Sequence, residues 1–110
     1  MIDLTYLRTT TDNDKAVIQE LIQIFVTQLP EIKRSIVSAY EHENWHELKE
    51  LAHKAKNSFE IMGLRNQADE LKRIEKIAQK DKPDPELKVL ISSFLKTCEI
   101  VLDEIKNLNI

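Results

Sequence analysis

Three histidines provide the first candidates for chemistry near neutral pH: His42, His46 and His53. Histidine is the side chain that ordinarily changes its charge between pH 5 and 8. His42 and His46 are four residues apart, a spacing that can bind a metal ion from one helix face. Asn44, a predicted helix N-cap, lies between them and would break that face. No paired cysteines or His-Glu-x-x-His motif support a metal site, so we interpret both histidines as surface residues.

His53 has a different position within its predicted helix. At about 100° per residue, it lies roughly 120° from the apolar seam of that helix, so we expect its ring at the surface or at a groove edge. Lys49 and Lys56 lie one helical turn before and after it. The two cations favour a neutral, nucleophilic imidazole and would stabilise an attached phosphoryl group. The residues alone leave two hypotheses open, a phosphoryl acceptor and an ordinary polar histidine on a lysine-rich face.

Other catalytic chemistry has less support. Ser58 has no histidine at helical spacing, and a single glycine leaves no strained nucleophile turn or phosphate-binding loop. Among 19 acidic residues, no carboxylate pair stands out from the general charge pattern. An ATP-using histidine kinase would need a separate nucleotide-binding domain, for which 110 residues leave no room. We therefore expect no autonomous catalysis.

Composition indicates one helical domain spanning residues 1–110. One Gly and three Pro provide few turn residues for β-hairpins. The 16 basic and 19 acidic residues are scattered, so no broad basic field is available for nucleic acid. The single cysteine, Cys98, falls on an apolar helical seam and suits a reducing compartment. With no signal peptide and no apolar stretch near the roughly 20 residues that cross a bilayer, we expect a cytoplasmic protein without membrane contact.

The predicted ends of the helices in the N-terminal third depend on Pro30. A short helical segment containing Leu7 comes first, and Asp12 is the predicted N-cap of a helix over about residues 13–29. An interior proline removes a helical hydrogen bond. Pro30 is therefore predicted to interrupt this helix and to begin another that ends near His42.

The next predicted helix has the clearest apolar seam of the N-terminal half. Asn44 is its predicted N-cap, with Glu47 completing a capping box, and Gly63 is predicted to end it in a left-handed conformation. Its apolar residues recur every three or four positions, as in a helix packed inside a bundle. They are Trp45, Leu48, Ala52, Ala55, Phe59 and Met62.

Two more helices follow, over about residues 64–78 and from Pro85 to Leu108. A linker at residues 80–83 separates them, and Asp84 caps the second. Since the connections are short, neighbouring helices should be antiparallel. The sequence therefore predicts an all-α, antiparallel up-and-down four-helix bundle with an additional short N-terminal helical segment, and we expect a monomer.

Residues 52–64 resemble the signature of histidine-containing phosphotransfer (HPt) domains of bacterial two-component phosphorelays. In that signature, Ala precedes the acceptor histidine, and Lys, a small residue and Gly follow it by three, five and ten positions. The matching residues here are His53, Lys56, Ser58 and Gly63. The resemblance covers the first two thirds of the chain, and beyond about Ala78 only the helical pattern agrees.

The resemblance implies a four-helix bundle that takes a phosphoryl group from a receiver-domain aspartate and passes it to another receiver. His53 would be the acceptor, and Lys56 would lie beside the phosphoryl group. The bundle would need no cofactor, because the receiver would bring the Mg²⁺. Response-regulator receiver domains are the implied partners, together with a hybrid sensor histidine kinase. The alternative is a helical protein-interaction module in which His53 is never phosphorylated.

Asn57 departs from the HPt pattern, which usually has Gly four residues after the histidine. It lies within about 40° of His53 on the exposed helix face, so its side chain would narrow the approach of a receiver. We expect Lys49, Asn57 and Glu60 to contact the docking partner. Asn57 would then influence which receiver fits.

Overall fold

The computed structural model describes residues 2–108, and these form helices without any strand. The helices are α1 (Thr5–Thr10), α2 (Lys15–Glu41), α3 (Trp45–Ile61), α4 (Arg65–Ala78) and α5 (Pro85–Lys106). Each long helix packs against the next, and α5 packs back on α2. The resulting bundle measures 44 × 23 × 19 Å. The predicted all-α four-helix bundle with a short N-terminal helix is confirmed.

The predicted break at Pro30 is wrong, because α2 continues through it. Buried residues lie on both sides of the proline, and Leu29 and Ile36 are seven residues apart, which keeps them on one face. An interior proline costs about 3 kcal/mol in an isolated helix, whereas each buried aliphatic side chain contributes about 1.5–3 kcal/mol. Burial of the helix beyond Pro30 therefore outweighs the lost hydrogen bond.

The predicted N-cap of this helix is also wrong. Asp14 caps α2, since its carboxylate accepts hydrogen bonds from the N–H groups of Ala16 and Val17. Asp12 and Asn13 have φ angles of 54° and 58°, so they form a left-handed turn before the helix. An N-cap normally has an extended backbone, which Asp14 has and Asp12 does not.

The predicted N-cap of α3, Asn44, is confirmed. The side-chain oxygen of Asn44 accepts from the Glu47 N–H at 3.2 Å. The reciprocal half of the predicted capping box is replaced, because the Asn44 N–H donates to the Ala39 carbonyl at 2.9 Å. Backbone atoms of the α2–α3 turn thus satisfy a group for which the sequence suggested a side chain.

One continuous core joins α1 to the four long helices. At its centre, the Phe59 ring lies between those of Phe25 and Phe94, with centroid distances of 5.1 and 5.5 Å. The predicted seam of α3 is confirmed, as all six of its residues are buried. Because Phe25, Phe59 and Phe94 come from α2, α3 and α5, this cluster fixes α3 against two neighbours.

Gly63 connects α3 to the N-terminal segment. Its φ of +71° confirms the predicted left-handed conformation, which glycine adopts without steric cost. A Cβ atom here would lie only 2.1 Å from the Asp3 carbonyl oxygen. The Asp3 N–H also donates to the Met62 carbonyl at 3.3 Å. The glycine therefore allows the N-terminal segment to pass close over the α3–α4 turn.

The C-terminal helix begins as predicted, with Asp84 as N-cap and Pro85 in the first turn, and it ends at Lys106. Arg73 of α4 donates two hydrogen bonds to Glu86 of α5, at 2.7 and 3.0 Å. This guanidinium lowers the pKa of the Glu86 carboxyl. Cys98 is fully buried in the core, and burial raises the pKa of its thiol to about 12. Within residues 2–108, no helix is both long and apolar enough to span a membrane.

Candidate functional site

His53 lies near the middle of α3, on the side opposed to the core. Its neighbours Ala52 and Ala55 are buried, which places the inner face of the helix against the bundle. The His53 side chain itself is 52% exposed. The expected surface position of the ring is therefore what the structure shows.

The ring of His53 contacts a residue that the sequence reasoning missed. Its Nδ1 lies 3.0 Å from Oε2 of Glu75, on α4. In an antiparallel helix pair, residues equally distant from the turn lie opposite each other. His53 is eleven residues before Leu64 and Glu75 is eleven residues after it. This symmetry about the α3–α4 turn was the signal in the sequence that could have identified Glu75.

Lys56 shares this carboxylate with His53. Its Nζ lies 3.9 Å from Oε1 of Glu75, and its side chain is only 18% exposed. Each oxygen of Glu75 thus faces a different residue of α3, the imidazole or the ammonium. The structure therefore brings His53 and Lys56 to one place through a third residue.

Lys49 and Glu50 form the other charged pair beside His53. The Lys49 Nζ lies 3.6 Å from Oε1 of Glu50, so a carboxylate accompanies this lysine too. The sequence analysis placed the imidazole between two cations and did not include the carboxylates that pair with them, so that interpretation is incomplete. Glu75 and Glu50 offset much of the positive charge from the lysines, and only Glu75 contacts the imidazole.

Asn57 and Glu60 are exposed on α3, whereas Ser58 is half-buried. Ser58 lines a groove of about 310 Å³ between α2 and α3, together with Ile32 and Leu51. A smaller groove of about 130 Å³ continues from it, and the partly exposed side chains of Ile24 and Ile61 lie along it. Gly63 lies beyond the end of α3 and not beside His53. Apolar surface is thus available on the α2 side of α3.

The remaining histidines are not part of this site. His42 follows the last residue of α2, and its Nδ1 lies 2.8 Å from the Ser38 carbonyl oxygen. His46 is exposed in the first turn of α3. Across residues 2–108, no group of three His, Cys, Asp or Glu side chains is arranged to hold a metal ion.

A family model described as the Hpt domain matches residues 20–108. It includes the segment around His53 and extends through α5, where the sequence alone showed only a helical pattern. No curated protein and no solved structure matches the chain. Because the match covers far more than half of the residues, the chain belongs to the Hpt domain family, whose members carry phosphoryl groups on histidine in phosphorelays.

Proposed function

We propose that His53 accepts a phosphoryl group from a receiver-domain aspartate and passes it to the aspartate of another receiver. The observation that carries this proposal is that the His53 imidazole is half-exposed at the acceptor position of the HPt motif. Its Nδ1 is hydrogen-bonded to Glu75. No hydrogen-bond partner of Nε2 occurs within residues 2–108. Nε2 is therefore the nitrogen available to a docked receiver.

In the proposed step, the Nε2 lone pair attacks the phosphorus of an aspartyl phosphate. The Nε2–P bond forms as the P–O bond breaks, and the bonding electrons leave with the aspartate. The bundle contributes a positioned nucleophile, and the receiver contributes Mg²⁺ and most of the electrostatic stabilisation. The Hpt domain then needs no cofactor and acts as a carrier without autonomous activity.

Lys56 is proposed to stabilise the attached phosphoryl group. Its ammonium already lies on the α4 side of His53, held 3.9 Å from Glu75. A dianionic phosphoryl group on Nε2 would compete with this single carboxylate for the ammonium. Lys56 can then turn toward the phosphoryl oxygens without leaving the site.

The receiver is proposed to dock over the exposed side of α3 and toward α2. Glu75 and Lys56 occupy the α4 side of His53, whereas the α2 side offers the apolar grooves beside Ser58. Lys49 and Glu60 would supply polar contacts at the rim of this interface. Asn57, one turn from His53, would limit how closely a receiver approaches and thus which receiver fits.

The partners proposed for this domain are response-regulator receiver domains, with a hybrid sensor histidine kinase as the source of phosphoryl groups. We propose that the domain works as a monomer, since its four long helices already enclose a continuous core. The alternative is an interaction module that binds partners but is never phosphorylated. Such a module would bind receivers equally well with or without an imidazole at position 53.

The test is phosphoryl transfer from a panel of phosphorylated receivers to the wild-type chain, His53→Gln and His46→Gln. We expect acid-labile label on the wild type and on His46→Gln, because His46 is exposed on α3 but lacks the Glu75 contact. His53→Gln should fold normally by circular dichroism and accept no label. Acid-stable label, or label on His53→Gln, would contradict the assignment, and binding without any label would favour the interaction module.

A further inference from the structure

Lys56 and Asn57 lie on opposite sides of His53 on the surface of α3. At about 100° per residue, Lys56 is about 60° from His53 in one direction around the helix, and Asn57 is about 40° away in the other. The ammonium of Lys56 is 3.9 Å from the Glu75 carboxylate, so Lys56 is on the side toward α4. Asn57 is therefore on the side of His53 that faces away from α4.

The Asn57 side chain leans toward the ring of His53. Side chains of an α-helix point back toward its N-terminus, so each covers the surface one turn before its own position. Nδ1 of His53 is 3.0 Å from Glu75, and because the two nitrogens of an imidazole point in different directions, Nε2 does not face that carboxylate. Asn57 therefore lies beside the nitrogen that is proposed to accept the phosphoryl group.

The carboxamide of Asn57 is exposed and makes no hydrogen bond within residues 2–108. Other asparagines of the chain have local roles, since the Asn44 side chain caps α3 and the Asn107 amide donates to the Asp103 carbonyl at 3.0 Å. Asparagine also has low helix propensity, so its presence in the middle of α3 does not stabilise the helix. The fold thus leaves both N–H donors of Asn57 available to a ligand.

Glu50 is the other residue one turn from His53 on the side away from α4. Its carboxylate can only accept hydrogen bonds, and Oε1 lies 3.6 Å from the ammonium of Lys49. Because Glu50 precedes His53, its side chain leans away from the ring. Of these two neighbours, only Asn57 can donate a hydrogen bond to a phosphoryl group.

We infer that the Asn57 carboxamide donates a hydrogen bond to a phosphoryl group on Nε2 of His53 and prolongs its attachment. This inference rests on the proposed role of His53 as the acceptor, and it adds a binding role to the steric effect of Asn57 on receivers. In hydrolysis, a water oxygen bonds to phosphorus, the Nε2–P bond breaks with its electrons returning to Nε2, and dihydrogen phosphate leaves. The transition state is loose and metaphosphate-like, so its outer oxygens carry less negative charge than those of the attached dianion. A donor to these oxygens therefore stabilises the attached group more than the transition state, which slows its loss.

The test compares Asn57→Leu and Asn57→Gly with Asn66→Leu, a control at an exposed position of α4. Leucine has nearly the size of asparagine but no donor, whereas glycine removes both the donor and the bulk. Each domain is labelled with phosphoramidate, a small phosphoryl donor that needs no docking surface. After the donor is removed, the decay of the ³¹P signal that His53→Gln lacks gives the lifetime of the phosphohistidine. We expect a lifetime about three- to tenfold shorter in both Asn57 variants and unchanged in the control.

A second measurement is the equilibrium distribution of the phosphoryl group between the domain and a receiver, which does not depend on how fast the receiver docks. It should shift toward the receiver in both Asn57 variants. The inference is overturned if Asn57→Leu matches the wild type in lifetime and distribution, because Asn57 would then act only through its bulk. Failure of the proposed function looks different, since the wild type would accept no phosphoryl group on His53 from phosphoramidate or from any receiver, and the inference would be wrong with it.

Discussion

Lys56 provides the residue-scale test of the electrostatics at the site. A unit charge about 4 Å from a phosphoryl oxygen contributes up to a few kcal/mol at an effective dielectric of 20, and salt screening reduces this to roughly 1 kcal/mol. We expect Lys56→Ala to slow phosphoryl transfer about five- to tenfold, with the fold intact. Stopped-flow transfer from one phosphorylated receiver, at low and high salt, measures this effect.

Lys88 is the matched control for that experiment, because it is an exposed lysine of α5 and lies outside the proposed docking surface on α3. Lys88→Ala removes the same charge without removing the contact to Glu75. Its transfer rate should stay near that of the wild type if the receiver recognises Lys56 specifically. Equal rates for the wild type and Lys56→Ala at low salt would remove Lys56 from the site.

Individual residues of the site differ in how far the sequence could predict them. The exposure of His53 follows from its angle to the apolar seam, so spacing alone was sufficient. Glu75 is 22 residues away, and its contact depends on how α3 and α4 align across the turn. The pairing of Lys49 with Glu50 depends on side-chain conformation, which helical spacing does not determine.

Pro30 provides a prediction at the scale of a helix. Since α2 is continuous, Pro30→Ala restores an N–H donor for the Val26 carbonyl at an exposed position. This removes a cost of about 3 kcal/mol, offset by about 1 kcal/mol because alanine has more freedom in the unfolded chain. We expect the free energy of unfolding to rise by about 2 kcal/mol, measured by urea denaturation.

Gln28→Ala is the control for Pro30→Ala, as Gln28 is an exposed residue of the same helix with an N–H already available. It should change the free energy of unfolding by less than about 0.5 kcal/mol. A loss of stability in Pro30→Ala would contradict the prediction, because it would mean that α2 depends on the proline.

Gly63 tests the turn that joins α3 to α4. Gly63→Ala should destabilise the bundle for two reasons, the positive φ and the approach of a Cβ to within 2.1 Å of the Asp3 carbonyl oxygen. Left-handed backbone costs a non-glycine residue about 1–2 kcal/mol, and displacement of the Asp3 segment adds to this cost. We expect a total loss above about 2 kcal/mol by urea denaturation.

Deletion of residues 1–3 separates these two contributions. In the shortened chain, Gly63→Ala should cost only about 1–2 kcal/mol, because the atoms that meet the new Cβ are gone. If Gly63→Ala lowered the free energy of unfolding equally in the full and the shortened chain, the N-terminal segment would not clash with a Cβ at position 63.

Helix ends were predictable where the cap is local. Asn44 and Asp84 each accept from an N–H two or three residues ahead, so the sequence contains both partners. The continuity of α2 depends instead on what its second half packs against. Ile36 and Ala39 are buried in the common core. The residues around Pro30 do not indicate that burial, so the sequence could not predict that the helix continues.

At the scale of the whole molecule, the apolar seams account for most of the fold. Seams on four long helices, joined by short connections, favour a bundle that shares one core. Ion pairs between helices, such as Lys33 with Glu99 at 2.7 Å, lie at its surface and contribute little each. The bundle could therefore be predicted from the sequence, whereas the pairing of surface groups could not.

A shared core implies that the helices open together, and the buried thiol of Cys98 can report this. Its pKa of about 12 and its full burial both suppress reaction with iodoacetamide at pH 8. We expect labelling at least about 10³-fold slower than for a free thiol, with the denaturant dependence of global unfolding. The control is Ser92→Cys in a Cys98→Ala background, since Ser92 is exposed on the same helix and should react at the rate of a free thiol. Rapid labelling of Cys98 without denaturant dependence would show that α5 opens alone, and the single cooperative core would then be wrong.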